Sequence, residues 1–233
     1  MPAFVPGLYG ASYLTNFMTA ETTTPPAAPA QASGPLFYRQ PLPLQSDKHA
    51  NWRLRPGSLA FAAETNAIPA VIGEFGMAAQ HFPILFTGQD ASPIVAVGLA
   101  RRNLFVADGK WADDTYAPAY LRRYPFVFMQ SDEDGNFLLA LDADSEQVNQ
   151  GTSDEGEPLF VDGKATEVVD NAMKFCADFT REYEQTRLFS AALKEHDLLV
   201  ERSIDVTLPS GEKMSVNGFH VVDVEKFAKL PDD

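Results

Sequence analysis

The chain has 233 residues, of which 45% are hydrophobic, so it is long enough and apolar enough to bury the core of one domain. Its 32 Asp and Glu outnumber its 18 Lys and Arg, and the resulting net charge of −14 disfavours binding to nucleic acids and to anionic lipid surfaces. A single cysteine excludes an intrachain disulfide and favours a reducing compartment, so we expect a cytoplasmic protein.

The N-terminal region differs in composition from the rest of the chain. Residues 21–35 are rich in Pro, Ala, Thr and Ser and predict a flexible tether, whereas residues 4–17 contain two Phe, two Tyr and two Leu. This apolar segment could be a frayed terminus, or it could dock on its own domain, on a second copy or on a partner. We therefore assign residues 1–35 to a flexible segment outside the core and residues 36–233 to a single domain.

We expect no membrane insertion. The first twenty residues lack the basic and continuously apolar regions of a signal peptide. No uncharged apolar run in the chain reaches the roughly 18 residues of a membrane span.

The first part of the domain is predicted to form a weak helix followed by short strands. Two glycines weaken the helical pattern of residues 71–81. Residues 83–86, 94–99 and 103–106 are rich in β-branched and aromatic side chains, which is typical of strands. Asp108-Gly109 then predicts a tight hairpin turn, because both central residues of such a turn need positive φ.

Two further hairpins are predicted later in the chain. Residues 126–130 and 137–141 are apolar runs that flank a turn-forming acidic insert. Residues 204–208 and 214–216 alternate between apolar and polar on either side of a Pro-Ser-Gly turn. Asn217-Gly218 shifts the phase of that alternation, which indicates a β-bulge.

Helical periodicity predicts a long helix over residues 166–183, a shorter helix over 187–195 and a short terminal helix within 222–230. The apolar stripe of the long helix is expected to face the sheet, and it consists of Val169, Ala172 or Met173, Cys176, Phe179 and Tyr183. Together these elements predict an α+β fold, in which antiparallel hairpins form a mixed sheet packed against one long and several short helices.

The sequence lacks the motifs of several common catalytic and nucleotide-binding sites. There is no phosphate-binding glycine loop and no nucleophile elbow. The histidines are scattered at His49, His81, His196 and His220. His220 and Asp223 come nearest to an iron-binding pattern, but we interpret them as polar residues at a strand end. Because Cys176 lies on the apolar stripe, we expect a buried structural thiol, and we predict neither a metal site nor a cofactor.

An acidic stretch covers residues 131–160, with nine carboxylates and no Lys or Arg. Calcium uses such oxygen ligands, but the spacing is not that of an EF-hand loop. We therefore favour a solvated acidic face over a metal site.

The most unusual cluster is the segment from Tyr116 to Phe126, in which Arg122 and Arg123 are adjacent. Two neighbouring guanidinium groups repel each other unless anions lie near them, and nearby tyrosines supply rings and hydroxyl donors. The alternative is that both arginines pair with the chain's own carboxylates. Successive side chains diverge on a helix or a strand, so we expect one arginine to anchor the fold and the other to bind. The candidate binding residues are Arg122, Arg123, Tyr120, Tyr124, Trp111 and Tyr116.

The same cluster carries a family resemblance. The segments 98–99, 103–106, 109–111 and 116–126 resemble the SapC family of bacterial proteins, with supporting matches at 74–75, 82–86, 156–160 and 162–163, and the similarity runs from about residue 37 to residue 230. The resemblance implies an accessory role in a surface-layer, envelope or nutrient-uptake system. It implies no reaction and no catalytic residues.

Two functional hypotheses follow. The first is a cytoplasmic accessory or binding protein that recognises a protein partner or an anionic small molecule. The alternative is an enzyme of unrecognised type, such as a modifying enzyme or an oxygenase, that uses dispersed histidines and carboxylates. Bound iron, zinc or flavin in the purified protein would favour the enzyme, and the sequence leaves the oligomeric state open.

Overall fold

The computed structural model describes residues 34–131, 136–207, 211 and 213–231. The apolar N-terminal segment and residues 21–33 of the predicted tether lie outside the described residues, as do most of the turns of the second and third predicted hairpins. The assignment of residues 1–35 to a segment outside the core therefore stays a prediction.

Most of the described strands are short, and α3 is the one long helix among the described residues. Within the described residues the strands are β1 (Pro41–Pro43), β2 (Arg53–Leu54), β3 (Ala67–Pro69), β4 (Ile84–Thr87), β5 (Ser92–Ala96), β6 (Val106–Ala107), β7 (Lys110–Trp111), β8 (Phe126–Gln130), β9 (Phe137–Asp142), β10 (Val148–Asn149), β11 (Glu157–Pro158), β12 (Phe160–Val161), β13 (Lys164–Ala165), β14 (Leu199–Thr207) and β15 (Lys213–Val222). The helices are α1 (Phe75–Ala78), α2 (Ala119–Arg123), α3 (Glu167–Glu195) and α4 (Val224–Phe227). A 3-10 turn at Ile72–Glu74 leads directly into α1.

The largest sheet has five strands in the order β14-β15-β4-β5-β3. Two three-stranded sheets have the orders β1-β9-β8 and β10-β2-β11, and β6–β7 and β12–β13 form separate hairpins. Neighbouring strands in the described sheets pair antiparallel. The α+β class, with antiparallel hairpins against one long helix and several short ones, is therefore confirmed.

The predicted hairpins are present. The Asp108-Gly109 turn between β6 and β7 has φ values of 51° and 72°, as the turn type requires. Strand β8 pairs with β9, and β14 pairs with β15. In the latter pair the register shifts between Arg202 and Ile204, opposite Asn217-Gly218, so the predicted bulge is also confirmed.

One predicted strand is wrong. Residues 103–105 form no strand, because the side chain of Asn103 holds them in a turn. Its Nδ2 donates to the carbonyl of Ala62 at 3.1 Å, and its Oδ1 accepts from the backbone N–H of Phe105 at 2.9 Å. The bond to Phe105 is local, and such local side-chain bonds compete with strand pairing; pairing begins only at Val106.

The two predicted helices over 166–195 are one continuous helix, α3, of 29 residues. It contains no Gly or Pro that would end it. The apolar stripe is interrupted near Thr186, but the helix does not end there. Thr186 makes a tertiary contact instead. Its hydroxyl donates to the carbonyl of Glu182 at 2.6 Å and accepts from the N–H of Ile72 at 2.8 Å. This bond joins the middle of α3 to the turn that precedes α1.

Helix α3 packs against β5, β8, α2 and the 3-10 turn, as expected for its apolar stripe. Val169, Cys176 and Phe179 are buried on that face, whereas Met173 is exposed. No helix in the described part of the chain is long and apolar enough to cross a membrane.

Cys176 is expected to be chemically inert in the native protein. Its side chain is only 2% exposed, and burial raises the pKa of the thiol to about 11. A thiol-labelling reagent should therefore react with the protein only after unfolding, and Cys176→Ala should lower the free energy of unfolding by about 1 kcal/mol. The chain has no other thiol, so the labelling has no background. Rapid labelling of the native protein would contradict the expectation.

Candidate functional site

The segment that carries the adjacent arginines folds around the short helix α2. Pro118, with φ −54° and ψ 142°, precedes the helix, and Tyr124 leaves it with ψ 137°. The residue before a proline is disfavoured in helical conformation, so Pro125 explains why α2 ends there. Consecutive residues on a helix are about 100° apart. Arg122 and Arg123 consequently face different surroundings.

Arg123 points into the core. It is only 3% exposed, and its guanidinium carbon lies 4.4 Å from the ring centre of Phe179 and 4.5 Å from that of Tyr120. The ring of Tyr38 lies 5.7 Å from the same carbon. Tyr120 is itself buried, and desolvation raises the pKa of its hydroxyl to about 12. Both residues are parts of the packed interior, where neither can meet a ligand at the surface.

Arg122 lies at the surface and is held in a fixed orientation. Its Nε donates to the carbonyl of Ala117 at 3.0 Å, and its Nη2 donates to the hydroxyl of Tyr116 at 2.9 Å. The guanidinium carbon lies 5.4 Å from the ring centre of Tyr116 and 5.3 Å from that of Phe175. Among the described residues, Arg122 forms no ion pair with a carboxylate. Within the described part of the chain, direct pairing of Arg122 with a carboxylate is therefore not seen.

Behind Tyr116 lies a buried carboxylate, Glu74, which is 5% exposed. Its Oε2 accepts from the hydroxyl of Tyr116 at 2.9 Å and from the N–H of Ala119 at 2.7 Å, and its Oε1 accepts from the N–H of Val71 at 3.0 Å. The hydrogen bonds form a directed chain from Arg122 through Tyr116 to Glu74. Burial raises the pKa of Glu74, because it disfavours the charged form more than these hydrogen bonds favour it.

Glu74 has no role in the residue-level predictions from the sequence. The signal that could have found it is its position as the third residue of a helical turn. An acidic side chain there commonly reaches back to the N–H of the residue before the turn, as Glu74 does to Val71. Its contacts with Tyr116 and Ala119 join residues far apart in sequence, so local patterning does not predict them.

Trp111 and Tyr124 have separate surroundings. The Trp111 ring stacks on Phe105 with a centroid distance of 5.7 Å and meets the edge of Phe82 at 6.1 Å. The Tyr124 hydroxyl donates to Oδ2 of Asp142 at 3.0 Å. Both side chains are half-buried and contribute to packing.

Of the six predicted site residues, only Arg122 and Tyr116 lie together at the surface. The other four are in the core or in half-buried aromatic contacts. Ligand binding by any of the six stays a prediction.

The prediction of a solvated acidic face for residues 131–160 needs a correction at Asp142. This carboxylate is fully buried and accepts from the N–H of Gln40 at 2.7 Å, the N–H of Arg39 at 3.2 Å and the Tyr124 hydroxyl. A buried carboxylate with three donors is a structural residue. Within the part of the chain that the structure describes, no group of three or more His, Cys, Asp or Glu could hold a metal ion.

The histidine and carboxylate pattern noted in the sequence has a structural explanation. His220 lies in β15 opposite Phe86, and Asp223 caps α4 by accepting from the N–H groups of Glu225 and Lys226. His49 accepts from the N–H of Gln45 through Nδ1. These contacts match ordinary strand-end and turn roles.

The arrangement at Arg122 suits recognition of an anion. A guanidinium has five N–H donors, and two of those of Arg122 are used by Ala117 and Tyr116. Three therefore remain, which is enough to hold the two oxygens of a carboxylate or phosphate side by side. The flanking rings restrict the guanidinium plane and lower the entropic cost of binding.

Comparison with known families shows which family the chain is similar to. The family model described as SapC matches residues 44–233, which is most of the chain. No curated protein and no solved structure matches the sequence.

Proposed function

The chain belongs to the SapC family, and from that premise we propose that it is an accessory binding protein that recognises an anionic group through Arg122. The observation that carries the proposal is the exposed guanidinium of Arg122, which two hydrogen bonds and two aromatic rings hold in a fixed orientation. Among the described residues Arg39, Arg102 and Arg202 also form no ion pair, so the proposal rests on the fixed orientation of Arg122 and not on a missing carboxylate alone. The fixed guanidinium of Arg122 supports recognition of an anion that another molecule supplies.

Tyr116 and Glu74 are the positioning residues of this site. Tyr116 accepts one hydrogen bond from Arg122 and donates one to Glu74, so both functions of its hydroxyl are used. Glu74 is in turn fixed by two backbone N–H groups. A binding side chain whose support is itself held by hydrogen bonds loses little entropy when a ligand arrives.

The ligand we propose is a carboxylate or phosphate group, borne by a protein partner or by a small molecule. Family membership supports a role in a bacterial envelope or nutrient-uptake system. The single thiol, which is buried, is compatible with the reducing environment of the cytoplasm. Cell fractionation tests the proposed location independently of the ligand.

Arg122→Ala is expected to weaken binding of acetate or inorganic phosphate about tenfold or more, because the bidentate contact is lost. The melting temperature should stay nearly unchanged, since the side chain is exposed. Titration of the labelled protein by NMR checks this, and saturable shifts are expected at the amides of Tyr116, Ala117 and Arg122.

Arg101→Ala is the matched control, because Arg101 is also exposed and lies 4.0 Å from Glu64. It should bind the anions as tightly as the wild type. Arg122→Lys should bind more weakly than the wild type, because an ammonium group lacks the planar fork. The proposal fails if Arg122→Ala binds as the wild type does, or if Arg101→Ala loses as much affinity.

A further inference from the structure

A second feature of the molecule is a polar cleft of about 620 Å³, a volume within the range of small-molecule sites. Strand β2 and its paired neighbour β11 contribute to its floor, a turn over residues 151–154 forms one wall, and the hairpin β12–β13 forms another. None of the residues proposed for anion recognition lines it.

The turn that forms the first wall is held by one buried amide. Asn149 is fully buried, and its Nδ2 donates to the carbonyl and hydroxyl oxygens of Ser153 and to the carbonyl of Glu155, at 2.8 to 3.0 Å. Its Oδ1 accepts from the N–H and the hydroxyl of Thr152 at 3.0 and 3.1 Å. The wall is therefore preorganised, which reduces the entropy lost when a ligand binds.

The same turn packs closely on the floor of the cleft. Gly151 has φ of +85°, and a side-chain carbon at that position would lie 3.0 Å from Cβ of Asn51. Only glycine fits both the backbone conformation and this close approach. The close contact between the turn and Asn51 consequently depends on glycine at position 151.

The side chains in the cleft are polar but nearly balanced in charge. Arg53 lies on the floor with a side chain that is 28% exposed, and its Nη1 donates to the carbonyl of Gly156 at 3.0 Å. Its Nη2 is 3.7 Å from Oδ1 of Asp154. With Asp162 on the opposite wall, the lining has one cation and two carboxylates. An anionic ligand would meet net repulsion here.

The lining of the cleft combines hydrogen-bond donors, acceptors and an apolar ring. Arg53 and Asn51 supply N–H donors, Asp154 and Asp162 supply acceptors, and the half-buried ring of Phe160 supplies an apolar face. This combination complements a molecule that has many hydroxyl groups and apolar C–H faces. We propose that the cleft binds a neutral saccharide.

In this assignment Arg53 donates to saccharide oxygens with the N–H groups that Gly156 does not use. Asp162 accepts from hydroxyl groups at the tip of the hairpin, where it is exposed. Phe160 packs against the C–H face of the sugar ring. A neutral saccharide satisfies these polar groups without adding charge to an acidic protein.

The experiment is a titration of the full chain with glucose, maltose, cellobiose and N-acetylglucosamine, followed by calorimetry and by saturation-transfer NMR. Asp162→Asn is expected to weaken binding about tenfold, because the amide replaces an ionic acceptor by a weaker one. Arg53→Gln should weaken it at least as much.

Asp108→Asn is the matched control. Asp108 and Asp162 occupy the same position of two Asp-Gly hairpin turns, with φ of 51° and 50°, and only Asp162 lines the cleft. Asparagine tolerates this conformation, so both variants should fold. Thermal unfolding of both variants checks that they do.

Three outcomes would overturn the proposal. The first is that none of the four sugars binds, and the second is that Asp162→Asn and Asp108→Asn bind a sugar equally well. The third is that glucuronate or inorganic phosphate binds in the cleft more tightly than the neutral sugars. Arg122→Ala leaves the cleft intact, so loss of sugar binding and loss of anion binding are distinguishable.

Discussion

Replacing Arg123 with alanine is expected to lower the free energy of unfolding by about 3 kcal/mol. The guanidinium lies within 4.5 Å of the ring centres of Phe179 and Tyr120, and the side chain is 3% exposed. Alanine removes these cation–π contacts and the packing of the aliphatic stem, and it leaves a cavity. A loss of this size lowers the melting temperature by roughly 6 to 12 °C in a domain of this length. Thermal and denaturant unfolding measure it.

Two substitutions separate charge from packing at Arg123. Arg123→Met keeps an unbranched stem and should cost less than alanine, because replacing a buried charge by a well-packed apolar side chain is often tolerated. Arg123→Lys should cost nearly as much as alanine, since an ammonium cannot stack on rings as a guanidinium does. If Arg122→Ala destabilises the protein as much as Arg123→Ala does, the division between the two arginines is wrong.

Replacing Glu74 with alanine is expected to have a comparable effect, a loss of roughly 3 to 4 kcal/mol. The change removes the acceptor of two backbone N–H groups, those of Val71 and Ala119, and of the hydroxyl of Tyr116. Buried donors without acceptors are costly because they have lost their water. The 3-10 turn before α1 and the start of α2 would lose their connection, and unfolding measurements should show it.

Tyr116→Phe is the control for this interpretation, because it removes the hydroxyl's bonds to Glu74 and from the exposed Arg122 but leaves both backbone N–H groups satisfied. It should cost only about 1 kcal/mol. It should also weaken anion binding at Arg122, whose Nη2 loses its acceptor. If Tyr116→Phe and Glu74→Ala lower the free energy of unfolding equally, the bond from the Tyr116 hydroxyl, and not the bonds from the two backbone N–H groups, accounts for the stabilisation by Glu74.

The pH dependence of stability provides a second readout for Glu74. Burial holds its pKa above the ordinary value of 4.5, so the folded protein binds this proton more tightly than the unfolded chain does. The stabilisation that this tighter proton binding gives to the folded protein is complete below pH 4.5, and it is lost as the pH rises through the raised pKa of Glu74. Gln cannot titrate, so the free energy by which the wild type exceeds Glu74→Gln in stability should shrink as the pH increases through the pKa of Glu74. A difference that grows with pH would contradict the assigned direction.

Local sequence determined the elements whose cause is local. Asp108-Gly109 forms its turn because both residues accept positive φ. Apolar and polar residues alternate on both sides of residues 217–218. This pattern predicted the hairpin and its bulge, because strand side chains repeat every two residues. The spacing of Val169, Cys176 and Phe179 identified the buried face of α3, and helix geometry required the two arginines to diverge.

The tertiary structure alone decided which arginine is buried, because the answer depends on residues distant in the chain. Arg123 is the core residue since the rings of Tyr38 and Phe179 reach α2 from outside its own segment. Glu74 supports Tyr116 from 42 residues away, a contact that no local pattern contains. The hydroxyl of Thr186, on the buried face of α3, likewise accepts from the distant N–H of Ile72, a contact that the local sequence does not contain. Turn and periodicity signals act over a few residues, whereas burial and hydrogen-bond partners are fixed only when the whole chain packs.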